Sequence, residues 1–148
     1  MPTVQRNDPY SAMNFLVELD GITVAAIREC SGLTSELTVI EYRNGSDRGS
    51  PRKLPGMQKF SNITLKRGIT GDRQLWDWHK TALDGSVQRK NGSIVLLDSA
   101  RKERWRWDFV GAYPTRWSGP DLRAGSAEVA FETVELAHRG LTRASRTR

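Results

Sequence analysis

Cysteine is nearly absent from this sequence of 148 residues, in which Cys30 is the only one. A single thiol cannot form an internal disulfide, which is typical of chains that fold in a reducing cytosol. Long apolar runs are also missing, since none approaches the roughly 18 residues typical of a membrane span. Residues 1–10 are polar and contain no apolar segment of a secretory signal. We therefore expect no stable membrane insertion and no export signal.

The residue types that carry out most catalysis are scarce as well. Only two histidines are present. His79 falls within the apolar arc of a predicted helix, and His138 has no neighbouring Cys or His that would indicate a zinc site. Cys30 has no visible paired base, and no glycine-rich stretch has the spacing of a phosphate-binding loop. We expect no enzymatic activity, no cofactor, no metal and no small-molecule substrate.

The positive charge of the chain is concentrated at one end. The formal net charge is +6, from 23 basic and 17 acidic residues. Residues 139–148 contain four arginines and no acid, so the remainder has 19 basic and 17 acidic residues, a net charge of only +2. A nucleic-acid-binding protein usually carries its basic face on the folded body. We therefore interpret residues 142–148, together with residues 1–12, as flexible ends.

Alternating apolar residues and turn signals predict about seven or eight β-strands. Residues 14–19 and 22–27 flank Asp20 and Gly21, and Asp-Gly between two apolar runs is a strong hairpin signal. Further strands are predicted at residues 37–42, 60–66, 93–98, 102–110 and 126–136. Residues 37–42 carry substantial side chains on both faces, which predicts a strand with both faces partly covered.

Two other segments interrupt this pattern of strands. Residues 44–56 contain three Gly and two Pro, which predicts a long loop or an extended hairpin tip. Loops of this length are often functional. Residues 72–83 predict one amphipathic helix that lies on a sheet. Its predicted core side chains are Leu75, Trp76, Trp78 and Leu83.

Aromatic residues recur at every second position near the middle of the chain. Trp105, Trp107 and Phe109 share one strand face, with Arg106 and Asp108 between them. The aromatic face could stack nucleic-acid bases. Regular alternation favours a core role instead, with Arg106 and Asp108 facing water.

These patterns together predict the fold class. No alternation of strand, helix and strand is visible, which disfavours a parallel sheet. We expect one domain over residues 1–148, mainly β, with an antiparallel barrel or sandwich that carries one amphipathic helix.

Segments spread along the chain resemble the T4-type phage tail tube protein family, which includes the inner tube proteins of phage-like contractile injection systems. The matching segments are RNDPY at 6–10, NFLVELDGI at 14–22, CSGLTSELTVIEYRNG at 30–45, RKLPGMQKFSNITLKRGIT at 52–70, DRQLWDWHKTALDG at 72–85, RKNGSIVLLD at 89–98, AYPTRWSGPDL at 112–122 and EVAFETVELAHRGL at 128–141. The combination of SNITLKRG and SGPDL is the most specific. The arginine-rich end after Leu141 is the one departure from this resemblance, since it matches no hallmark of the family.

The resemblance implies a structural subunit that forms six-membered rings, which stack into a hollow tube inside a contractile sheath. Implied partners are further copies of the chain, the sheath protein, baseplate and tube-terminating proteins, and protein cargo or DNA in the lumen. It also implies assembly in the bacterial cytoplasm as part of a phage tail or phage-like particle. No cofactor and no catalysis are implied.

The residues 44–56 are our candidate for contacts between stacked rings. Within and beside this loop, basic side chains outnumber acids, and a basic projection suits an acidic surface on the next ring. The candidate contact residues are Arg43, Asn44, Asp47, Arg48, Arg52 and Lys53.

Two alternatives to the repeating tube subunit remain open. Within the same family, the chain could be a tube initiator at the baseplate. From a different class, it could be a nucleic-acid-binding module that uses the Trp-Arg strand and the basic end. An enzyme is the least favoured interpretation because the motif search found no catalytic arrangement.

Overall fold

The computed structural model describes residues 8–43, 45 and 49–144, and this part of the chain is mainly antiparallel β with one α-helix. This confirms the predicted fold class. The elements are β1 Phe15–Leu19, β2 Ile22–Val24, β3 Ile27–Ser31, β4 Ser35–Tyr42, β5 Arg52–Phe60, β6 Ile63–Gly68, α1 Gln74–Leu83, β7 Lys90–Leu97, β8 Glu103–Ser118, β9 Phe131–Ala137 and β10 Gly140–Ala144.

Eight strands form one continuous hydrogen-bonded arrangement around the long strand β8. The order is β2-β1-β7-β8-β9-β6-β3, and β10 also pairs with β8. The first half of β8 lies between β7 and β10, whereas its second half pairs with β9. Gly111, with φ of +63°, lies where these halves meet. Strands β4 and β5 form a separate two-stranded sheet.

The predicted Asp-Gly hairpin is present between β1 and β2. Asp20 and Gly21 have φ values of 50° and 80°, which matches the positive φ that a type I′ turn requires at both central residues. The predicted second strand, residues 22–27, is shorter than expected. It ends at Val24, and Ala26 adopts φ of 62° before β3 begins at Ile27. A second turn therefore divides this apolar run between two strands.

The core lies between the inward faces of the long sheet and the helix. Alternate residues of β6 and β9 are buried, as expected for strands with one covered face. Leu75 and Trp78 of α1 and Phe109 of β8 pack in the same cluster, and Trp76, Trp105 and Trp107 are half-buried. The fully enclosed apolar side chains include Val17, Ile63, Leu65, Leu75, Phe109, Val134 and Leu136.

One predicted core residue is wrong. Leu83 is 64% exposed because it is the last residue of α1 and lies beyond the helix surface that Leu75 and Trp78 bury. The helix also begins at Gln74 rather than at Asp72. Asp72 precedes it, and its side-chain oxygen accepts a 2.9 Å hydrogen bond from the Gln74 backbone amide.

The expectation that Arg106 faces water is also wrong. Its side chain is buried, and its guanidinium donates to Glu18 at 2.9 Å and to Glu103 at 3.0 Å. These acids hold the pKa of Arg106 above its usual value. Alternation places Arg106 on the face opposite the tryptophans, but Glu103 of the same strand and Glu18 of β1 supply carboxylates there.

The end of the chain departs from the predicted single strand over residues 126–136. Strand β9 begins at Phe131, and Val129 is exposed ahead of it. After a break at residues 138–139, β10 continues along β8 as far as Ala144. The strand thus includes residues 142–144 of the predicted flexible end, held in part by Arg143, whose guanidinium carbon lies 3.9 Å from the Trp105 ring centroid.

A buried ion pair joins the helix to the sheet. Arg67 is 1% exposed, and its guanidinium donates to the Glu132 carboxylate and, at 2.9 Å, to the Asp72 carbonyl oxygen. The other oxygen of Glu132 accepts a 2.9 Å hydrogen bond from the Trp117 indole. Trp117 in turn meets Trp76 edge-to-face, with ring centroids 4.9 Å apart. This network links β6, β8, β9 and α1.

We predict that Trp78→Ala lowers the free energy of unfolding by about 3–5 kcal/mol, because it removes an enclosed aromatic side chain. The matched control Leu83→Ala, on the same helix but exposed, should change it by less than about 0.5 kcal/mol. Urea denaturation followed by tryptophan fluorescence or circular dichroism would measure both. Equal effects of the two substitutions would contradict this packing.

We also predict that Glu132→Gln costs about 3–5 kcal/mol, because it removes the closer and more enclosed of the two carboxylates that pair with the Arg67 charge. The control is Asp77→Asn, which removes an exposed pair with Arg73 at 3.9 Å. This change should cost less than about 1 kcal/mol. A Glu132→Gln variant with unchanged stability would show that the pair contributes little.

Candidate assembly surfaces

The hairpin of β4 and β5 stands apart from the long sheet. Among the described residues, its strands pair only with each other, over a register that runs from Ser35 opposite Phe60 to Tyr42 opposite Arg52. A bulge is braced where Thr38 accepts a 2.7 Å hydrogen bond from the Met57 amide. A Cβ at Gly56 would lie 2.4 Å from the Thr38 hydroxyl, so only glycine fits there.

Both faces of this hairpin expose apolar side chains. Between 46% and 77% of each of six large hydrophobic residues is accessible: Leu37, Val39, Ile40, Tyr42, Leu54 and Met57. Isolated two-stranded hairpins are marginally stable in water, and contiguous exposed apolar surface marks interaction sites. The predicted partial cover on both faces of residues 37–42 is therefore absent within the described part of a single chain.

The structure shortens the proposed contact loop and places its residues differently. Arg52 and Lys53 belong to β5, and Arg43 directly follows β4. Asn44, Asp47 and Arg48 lie outside the described residues. Of the two alternatives predicted for residues 44–56, a long loop or an extended hairpin tip, the structure supports the hairpin tip. Residues 52–56 form part of strand β5 rather than a loop.

The charges of the hairpin leave a basic excess near its tip. Glu36 lies opposite Lys59, and Glu41 lies opposite Lys53. Cross-strand pairs of opposite charge stabilise a sheet modestly. Arg52 instead lies opposite Tyr42, so it has no acidic cross-strand partner. The described residues beside the tip, Glu41, Arg43, Arg52 and Lys53, therefore carry a net charge of +2, and their contact with another ring stays a prediction.

Strand edges provide a second kind of assembly surface. Within the described part of the chain, β2 pairs only with β1, β3 only with β6, and β10 only with β8. Each of these strands keeps one side of its backbone available. An available edge is a template for pairing with another chain.

One face of β1, β7 and β8 carries charged and polar side chains beside apolar ones. It surrounds a shallow groove of about 730 Å³ that is lined in part by Glu18, Ser93, Arg106 and Asp108. Asp108 accepts a 2.6 Å hydrogen bond from Ser93. Arg106 is neutralised by acids and Trp105 is covered by Arg143. This arrangement does not favour a base-stacking platform.

The side chains of Cys30, His79 and His138, which the sequence offered as candidates for reactivity, are packed against other parts of the chain. Burial raises the pKa of the Cys30 thiol to about 11, which disfavours the nucleophilic thiolate. His79 is buried beside Trp76, and His138 contacts the Ser61 carbonyl oxygen at 2.9 Å. Across residues 8–43, 45 and 49–144, no three His, Cys, Asp or Glu side chains are grouped to hold a metal ion. No helix in that part has the length and hydropathy to cross a membrane.

The sequence did not identify the buried network around Arg67. A signal was available, since Ile63, Leu65 and Arg67 occupy the inward positions of β6 with a period of two. A charged residue in such a series indicates a buried pair. Its partner, Glu132, occupies the equivalent inward series of β9 with Val134 and Leu136.

Several solved structures share this fold. A chain of the extended sheath-tube complex of PVC, an extracellular contractile injection system, has a TM-score of 0.83 and 27% identity, over 93% of this chain and 93% of that chain. A chain from the tube-terminating cap of the anti-feeding prophage AFP has a TM-score of 0.84 and 26% identity, over 98% of this chain and 97% of that chain.

More distant structures share the fold alone. Hcp1 from Flavobacterium johnsoniae has a TM-score of 0.57 and 16% identity, over 87% of this chain and 93% of that chain. No curated protein matches the sequence.

The sequence itself matches a family of structural proteins along most of its length. The model of the family described as T4-like virus tail tube protein gp19 matches residues 11–142. This span includes the helix, the β4–β5 hairpin and all of the long sheet except the last two residues of β10. The chain therefore belongs to the T4-like virus tail tube protein family.

Proposed function

We propose that this protein is the repeating structural subunit of the inner tube of a contractile injection system or phage tail, and that six copies close into a ring. The observation that carries the proposal is the likeness over 93% of both chains to a chain of the PVC sheath-tube complex. A tube-initiating subunit of the same family is the alternative, because similar chains also occur in a baseplate structure and in a tube terminator.

Strand edges are suited to closing the ring. The available sides of β2, β3 and β10 are short and unlike one another. An edge of one copy can pair with a different edge of its neighbour, which is a heterologous contact. Such contacts close into rings when the rotation between copies permits it.

The hairpin is suited to joining one ring to the next. It carries apolar side chains on both faces and the basic residues Arg43, Arg52 and Lys53 near its tip. Burial of the apolar groups supplies free energy, whereas charge pairing sets register and specificity. The two steps of assembly, ring closure and stacking, then depend on different surfaces.

The remaining partners follow from this role. The outside of the tube contacts a contractile sheath, its ends meet baseplate and tube-terminating proteins, and its lumen conducts protein cargo or DNA. Assembly takes place in the bacterial cytoplasm, and the product is part of a phage tail or phage-like particle. The role requires neither catalysis nor a cofactor.

Shortening residues 45–51 to a tight turn, or replacing Arg48 and Arg52 with Glu, should leave a folded subunit that forms rings, whereas long tubes should be lost or become highly salt-sensitive. The reason is that both changes alter the tip of the hairpin, and neither alters the edges of β2, β3 or β10. Negative-stain microscopy of the purified protein at low and high salt would measure ring and tube yield. Tubes of normal length from the shortened variant would contradict the stacking role.

His79→Gln should leave tube assembly largely intact, because the imidazole is a packing group rather than a reactive one. Tube yield and circular dichroism would be compared with those of the unchanged protein. Loss of a measurable hydrolase activity in a normally folded His79→Gln variant would contradict the non-enzymatic role.

A further inference from the structure

An apolar groove lies where β6 leads into α1, and its use is not explained by the packing of a single chain. Its volume is about 390 Å³. We call it the aromatic groove, and the residues that line it are Ile69, Thr70, Asp72, Arg73, Trp76, Trp117 and Glu132. The rings of Trp76 and Trp117 form one side by their edge-to-face contact. Ile69 is 45% exposed at its rim.

The carboxylates of the aromatic groove already have partners. Glu132 accepts from Arg67 through one oxygen and from Trp117 through the other. Asp72 accepts from the Gln74 amide at 2.9 Å and from Arg67 at 3.3 Å. Because these acceptors are used within the chain, the groove offers mainly hydrocarbon surface. Its preferred guest is an apolar side chain rather than a cation.

The described chain carries its largest set of exposed apolar side chains on the β4–β5 hairpin. Six of the fourteen exposed large hydrophobic residues lie there, and Met57 is 77% exposed. The same chain thus carries an apolar groove that can bind an apolar side chain and a hairpin whose apolar side chains are exposed. A second copy of the chain supplies both.

The hairpin and the aromatic groove lie at opposite ends of the same strands. The hairpin enters the long sheet through Phe60, just before β6 begins at Ile63, whereas the groove follows directly after β6 ends at Gly68. At about 3.3 Å per residue, β6 separates these ends by about 17 Å. Contact between one such end and the opposite end of another copy is head-to-tail. A head-to-tail contact that does not close generates a stack.

The charges of the two surfaces are also complementary. Residues 35–43 and 52–60 contain four basic and two acidic side chains, a net charge of +2. Residues 69–77 contain Asp72, Asp77 and Arg73, a net charge of −1. This difference in sign favours the pairing of hairpin with groove over hairpin with hairpin.

We propose that the aromatic groove of one copy receives apolar side chains from the β4–β5 hairpin of a second copy. The inference rests on the proposed tube function and names the surface on which the hairpin docks. In this contact, Ile69 and Trp76 touch the apolar side chain of the second copy. Arg67 is a positioning residue, because it holds Glu132 and Asp72 in place in the wall of the groove.

Cross-linking tests the contact directly. Chains with Met57→Cys and chains with Ile69→Cys are mixed and treated with a short bis-maleimide. Each of its two maleimide groups reacts with one cysteine thiol. The matched control replaces Ile69→Cys with Met13→Cys, since Met13 is 78% exposed but lies outside the groove. Docked thiols react at a high effective concentration, so we expect roughly tenfold more cross-linked pair than in the control.

A charge-rescue experiment tests the same contact without cross-linking. Ile69→Arg should abolish long tubes, because it places a positive charge against the hairpin. Adding Met57→Glu to that chain should restore them, whereas adding Met13→Glu should not. Circular dichroism and thermal melting would verify that each variant is folded, which is expected because these three positions are exposed.

The outcomes separate this inference from the proposed function. Specific cross-linking together with tubes supports both. Tubes without specific cross-linking, or tubes that tolerate Ile69→Arg, would overturn the groove contact and leave the tube role intact. Specific cross-linking from a protein that never forms tubes would support the contact and contradict the tube role. The absence of both would overturn both.

Discussion

The enclosed charge of Arg67 is the constraint on which the rest of the structure depends. A guanidinium buried in a sheet requires a carboxylate partner, and Glu132 on the neighbouring strand supplies it. The same pair fixes the start of α1 through Asp72 and the indole of Trp117. The sheet and the start of the helix are therefore joined by one hydrogen-bonded network, which also forms one wall of the aromatic groove.

A single chain leaves other parts of this architecture incomplete. The long sheet is well packed on its inner face, yet the β4–β5 hairpin exposes hydrocarbon on both faces, and β2, β3 and β10 each keep one backbone side available within the described part. Exposed apolar surface and strand edges are normally suppressed in monomeric proteins. Their presence on one chain is consistent with a protein whose stable form is an assembly.

The fold was largely predictable because local signals dominate it. Asp20-Gly21 specified its turn, apolar runs between turn signals located most of the strands, and the helix arc identified Leu75 and Trp78. The predicted burial of Leu83 was wrong because periodicity does not show where a helix ends its contact with the sheet. Arg106 was wrong because its acidic partners, Glu18 and Glu103, include one 88 positions away in sequence. The aromatic groove depends on contacts between β8, β9 and α1, which no local pattern specifies.

The measurement that tests the central claim most directly is a cryo-electron microscopy reconstruction of the protein after assembly at high concentration. The account predicts stacked six-membered rings in which the apolar side chains of the β4–β5 hairpin are covered by neighbouring copies. A protein that stays monomeric at every concentration would contradict the account. So would a tube in which Met57 and the other apolar residues of the hairpin remain exposed to solvent.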